Sequence, residues 1–182
     1  MKVAVLATTL LAVAVKAANA AARSADDATG FRLWANMIYD NHPDGPQVQG
    51  QELGLVSTAE CAADVIMVPA GEGAIFRAVN NDTIGVDNLG GDSSPFAGMV
   101  VPWRGPAMVP SGRPVEVRCG EGTTLFLNEL GVRYPGEMGP DWNGAFMACP
   151  REYGSEEIIL SYFGWGQRPL WGCSVIQLQP IY

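Results

Sequence analysis

Beyond residue 46 the chain repeats one theme, an apolar run of four to eight residues closed by Gly, Pro, Asn or Asp. That rhythm limits it to short strands joined by tight turns. The runs fall at residues 64–68, 74–79, 83–86, 96–101, 114–119, 123–127, 145–149, 156–163 and 173–178. A further strand is expected over residues 31–39, before the turn formers of residues 40–46. In Val115-Glu116-Val117-Arg118-Cys119 apolar and charged side chains alternate, which predicts a half-buried strand with Glu116 and Arg118 on the solvent face. Ile176 and Leu178 likewise alternate with Gln177 and Gln179. One short helix is expected over residues 58–63, capped by Ser57 or Thr58 with Glu60 in its first turn. The fold class is therefore all-β: a single-domain β-sandwich or small barrel of ten to twelve short strands. A three-lobed β-trefoil is the alternative, set behind because no threefold repeat is visible.

Residues 1–20 read as a secretory signal peptide. Lys2 supplies the positive start, residues 3–15 an apolar run, and Ala18-Asn19-Ala20 a small-x-small cleavage site. The apolar run is too short to cross a bilayer, so no membrane anchor is expected. Residues 21–30 are small and polar and read as a flexible lead-in, leaving residues 31–182 as one β domain. Cleavage would remove Lys2 and Lys16, the only lysines, and leave nine arginines against nineteen acids. Nucleic acid and anionic membrane surfaces are unsuited to so acidic a chain with singly scattered arginines.

Four cysteines in a secreted chain point to two disulfides, for which the sequence allows three pairings. The preferred pairing joins Cys61 to Cys119 and Cys149 to Cys173, the second closing the C-terminal segment on itself.

Candidate chemistry is sparse, and no cofactor is expected. His42, the only histidine, lies in the turn Asn41-His42-Pro43-Asp44, which reads as an exposed loop. It leaves no partner histidine for a zinc site. With the thiols oxidised and no Gly-x-Ser-x-Gly elbow, a nucleophilic apparatus has no components. Asp82, Asp87, Asp92, Glu116, Glu129 and Asp141 could supply the two acids of a glycosidase, although nineteen acids make such proximities common by chance. Asp82, Asp87, Asn88 and Asp92 could gather oxygens around calcium, but not in EF-hand order, so solvated loops are the plainer reading. Asn81-Asp82-Thr83 is an N-glycosylation sequon in a turn. Trp165, Trp171 and Tyr162 could form an aromatic platform for sugar rings. Against that, a tryptophan two residues from Cys173 is expected to pack on the disulfide.

The segments Phe126-Leu127-Asn128, Trp142-Asn143-Gly144-Ala145-Phe146-Met147-Ala148-Cys149-Pro150 and Gly172-Cys173-Ser174-Val175-Ile176-Gln177-Leu178 resemble a largely uncharacterised group of small secreted fungal proteins. Some members of the group are described as IgE-binding or cell-wall-associated. The resemblance spans residues 123–182 and, more weakly, residues 31–39. It implies the Cys149–Cys173 pairing, a secreted or wall-associated location, and a binding role toward a macromolecule or glycan. It carries over no catalytic residue. Three functions are compatible with the sequence: a secreted non-enzymatic β-domain at the fungal surface or on a host partner, a carbohydrate-binding module, and an acid glycoside hydrolase.

Overall fold

The computed structural model describes residues 30–38, 44–79, 83–89, 96–102, 112–120, 125–128, 131–133, 145–152, 154–163 and 167–182. The expected signal peptide, most of the lead-in, His42 and Asn81 of the sequon lie outside the described residues.

Thirteen strands and no helix are present among the described residues. They are β1 (Arg32–Met37), β2 (Glu52–Ala59), β3 (Ala62–Val68), β4 (Arg77–Val79), β5 (Thr83–Asp87), β6 (Phe96–Val100), β7 (Arg113–Pro114), β8 (Glu116–Cys119), β9 (Phe126–Asn128), β10 (Gly131–Arg133), β11 (Ala145–Pro150), β12 (Ile158–Phe163) and β13 (Ser174–Ile181). Six of them close into an antiparallel barrel in the order β1-β2-β3-β12-β11-β13. Three come from each end of the fold, so the three-lobed alternative does not describe this order. The middle of the chain forms an extension, β4-β5-β6-β8, that joins the barrel along β3. The hairpin β9–β10 forms its own two-stranded sheet and packs against β13, with Gly131 close to Leu178 and Gln179 and Val132 in the core.

The barrel closes at a three-way junction. Strand β3 pairs with β8 from Ala62 to Asp64 and with β12 at Ile66, opposite Ile159. Between these pairings Val115 accepts from the Val65 N–H at 3.3 Å and donates its own N–H to Leu160 at 2.9 Å. One expected strand, residues 114–119, is thus split into β7 on β12 and β8 on β3. The core follows from strand alternation: Leu33, Ala35, Leu53, Val65, Met67, Phe146, Ala148, Leu160, Tyr162, Ile176 and Leu178 are buried together.

The helix expected over residues 58–63 is absent. Ala59 pairs with Ala62, so Glu60 and Cys61 form the tip of the β2–β3 hairpin, with a register shift between Ser57 and Ala59. Strand β2 escapes the apolar pattern because Glu52 and Gly54 interrupt it, and Ser57 and Thr58 resemble a helix cap. Cross-strand pairing overrides that local signal.

Glu116 is also corrected. It is 6% exposed, because β8 lies between β3 and β6 and the second face of the strand is covered. Arg118 compensates the buried charge, its Nε donating to Glu116 Oε2 at 2.7 Å.

Both preferred disulfides are present, Cys61–Cys119 with Cα atoms 5.4 Å apart and Cys149–Cys173 with Cα atoms 4.4 Å apart. No described helix is long and apolar enough to cross a membrane.

Candidate functional site

Strand β11 faces two ways. Phe146 and Ala148 enter the barrel, whereas Met147 and Cys149 point outward and are nonetheless buried in a second, smaller cluster with Cys173. The cover is the segment leading into β13. Leu170 packs into this cluster, close against Gly112 and Met147, and the Cys149–Cys173 bridge ties the segment down.

Between those anchors the backbone makes a type II turn. Cys173 donates its N–H to the Leu170 carbonyl at 3.2 Å, and Gly172 takes a φ of +76° at the position where such turns need glycine. Trp171 occupies the outer corner and is 78% exposed. Its neighbours Arg168 and Pro169 are exposed as well. On the far side the turn lies against residues 44–46, where Ser174 Oγ donates to the Pro46 carbonyl at 2.7 Å. A large indole is thus exposed on a backbone fixed from three sides, and tryptophan is among the residue types enriched at binding hot spots.

The aromatic candidates separate. Trp171 does not pack on the disulfide; the turn that carries it directs Leu170 inward instead. Tyr162 is 3% exposed and meets Phe146 edge-on at 5.9 Å inside the barrel, so it cannot stack on a ligand at the surface. Trp165 lies outside the described residues.

The acids separate too. Asp87 receives Arg77 Nη2 at 2.8 Å. Glu116 pairs in register with Asp64, a cross-strand couple that the sequence did not single out, because the two residues are far apart in the chain. Asp64 is held in turn by Arg151 Nη1 at 2.7 Å, and Arg151 Nε reaches Glu157 at 2.6 Å. Each described carboxylate of this group lies against a guanidinium. Asp82, Asp92, Glu129 and Asp141 lie outside the described residues. Among the described residues no group of three His, Cys, Asp or Glu side chains could hold a metal ion.

Fold and site together define a disulfide-bonded β-barrel domain that presents a tryptophan from a strapped turn. The chain belongs to the family of the domain of unknown function DUF7907, which matches residues 28–182. Neither the curated proteins nor the solved structures contain a match.

Proposed function

We propose that the protein is a secreted, non-enzymatic binding domain of fungal origin, acting at the cell surface or wall or on a host partner. The observation that carries the reading is Trp171, exposed at the corner of a turn pinned by Leu170 and the Cys149–Cys173 bridge. Such a contact is organised before any partner arrives, so little conformational entropy is lost on binding. The signal-like residues 1–20, the two disulfides and the resemblance to wall-associated fungal proteins support the location. A carbohydrate-binding role is the second reading, favoured by the same exposed indole.

The test is fractionation of the producing cells, followed by chemical crosslinking on intact walls and with host extracellular fluid. Wild-type protein should appear in the secreted or wall fraction and crosslink to a defined partner. Trp171→Ala should lose that partner while the protein stays folded, as read by its circular dichroism and a cooperative thermal transition. Equal capture by Trp171→Ala would remove the turn from the reading, and retention of the protein inside the cell would overturn the location.

A further inference from the structure

The outer face of the β1–β13 pair differs chemically from the acidic remainder of the chain. Leu33, Ala35, Ile176 and Leu178 fill the barrel, so Arg32, Trp34, Asn36, Gln177 and Gln179 stand on the outside, each half-buried. Register sets Arg32 opposite Ile181, Trp34 opposite Gln179 and Asn36 opposite Gln177. The result is two adjacent rows, about 4.8 Å apart, with successive outward side chains about 6.6 Å apart along each row.

Gln49 adds a further amide. Its Nε2 donates to Asn36 Oδ1 at 3.3 Å, and its Oε1 accepts from the Met37 N–H at 2.8 Å, which fixes the Asn36 end of the strip. The charges here cancel: Arg32 Nε lies 3.8 Å from Glu52 Oε2, and Glu52 stands opposite Trp34 on β2. The strip is therefore neutral on a chain whose formal net charge is −8. It continues through Ile38, whose N–H donates to the Val175 carbonyl at 3.0 Å, toward the turn that presents Trp171.

We infer that this strip binds a neutral, linear polysaccharide. This rests on the reading of the protein as a surface or wall binder, and it names the ligand and the face. A primary amide offers two donors and a two-lone-pair acceptor, which suits the paired hydroxyls of a sugar ring. An indole offers the apolar surface against which the C–H face of such a ring desolvates. Two parallel rows of these groups match an extended polymer rather than a compact ligand. An anionic polymer would meet no net positive charge here. A protein partner fits less well, since a standard interface needs about 800 Å² per side with an apolar centre, whereas here the Gln179, Asn36 and Gln177 amides hold the centre beside Trp34 and the exposed Ile181 and Ile38 stand at the two ends of the strip.

Purified protein is incubated with insoluble β-glucan, chitin and cellulose, and bound protein is measured by depletion. Wild type should bind at least one of them, and Trp34→Ala should weaken that binding about tenfold. Because Trp34→Ala also removes packing, Gln179→Glu, which keeps the side-chain length beside Gly131 but loses the two amide donors, is the deciding variant: about threefold weaker binding at an unchanged melting temperature. If both variants bind as wild type and only Trp171→Ala releases the polymer, the strip is not the site, while the binding reading stands. If no polysaccharide binds but crosslinking still captures a protein partner, the ligand class is wrong and the binding reading survives. If neither occurs, both fall.

Discussion

Arg151 Nη1 donates to Asp64 Oδ2 at 2.7 Å across 87 positions of sequence. The same guanidinium binds Glu157 through Nε at 2.6 Å, so the turn between β11 and β12 is tied to β3. That tie lies beside the seam where the barrel closes with only one registered pair, Ile66 and Ile159. Hydrogen bonding to Glu157, and then to Asp64, raises the pKa of Arg151 above its ordinary value. A raised pKa means the contribution is complete below the ordinary arginine value and is lost only as pH rises through the still higher folded value. Alkaline titration to about pH 9 should therefore leave the tie intact, well below the arginine range. Salt is the sensitive variable: Asp64→Asn should destabilise by about 1 kcal/mol at low ionic strength, and by less at about 1 M salt. Urea unfolding at the two salt concentrations measures the difference.

The two disulfides should differ in what their loss does. By chain entropy, Cys61–Cys119, with a sequence separation of 58, should stabilise by about 4 kcal/mol. Cys149–Cys173, with a separation of 24, should give about 3 kcal/mol. The larger global loss belongs to the Cys61/Cys119 double alanine variant. Faster local exchange of the amides of residues 167–173 belongs to the Cys149/Cys173 variant, because that bridge holds the Trp171 turn. Thermal melts paired with hydrogen exchange separate the two effects; equal exchange in the turn would mean that Leu170 and the Ser174–Pro46 hydrogen bond suffice to secure it.

Cys61 adopts a φ of +66°, the left-handed region, at the tip of the β2–β3 hairpin. A residue with a Cβ there costs about 1 kcal/mol relative to glycine. In a chain already lacking the bridge through Cys119→Ala, Cys61→Gly should thus be about 1 kcal/mol more stable than Cys61→Ala, read from denaturation midpoints at constant m-value.

Much of the fold was legible because apolar runs bounded by Gly, Pro, Asn and Asp carry strand information locally. The segments containing β3, β5, β6, β11, β12 and β13 stand out for that reason, and the Gln177 and Gln179 alternation on β13 is observed. What escaped was decided by distant partners. Strand β2 carries Glu52 at a position that reads as polar, and only the fold shows Gly73 and Arg32 meeting that carboxylate. Glu116 reads as solvent-facing until β3 and β6 enclose it.

The same division holds for the site. Trp171 could be singled out as a tryptophan beside a disulfide, but whether it or Leu170 turns inward depends on the type II turn and on the pocket formed with Met147. Tyr162 was indistinguishable from a surface aromatic until its strand entered the barrel wall. Trp34 carries no local signal of recognition at all. Its interest arises from the register that places it opposite Gln179.

Glu52 and Gly73 form the pair that shapes the floor beside Trp34. The Gly73 N–H donates to Glu52 Oε2 at 2.9 Å, and a Cβ on Gly73 would come within 2.6 Å of the same oxygen and 2.7 Å of Glu52 Cβ. Gly73→Ala should therefore displace the loop that crosses β2 and destabilise by about 1 to 3 kcal/mol. Glu52→Gln keeps an acceptor for the Gly73 N–H and gives up only the ion pair with Arg32, so its cost should be about 1 kcal/mol. Glu52→Ala leaves that N–H without its acceptor and should cost about 1 to 3 kcal/mol. It also vacates the volume into which an alanine methyl at position 73 would project. The double variant Gly73→Ala/Glu52→Ala should thus be less destabilised than the sum of the single changes, by at least about 0.5 kcal/mol. Strict additivity in that cycle would show that the loop yields without meeting the carboxylate, and that the close packing seen between the two residues is not what holds it.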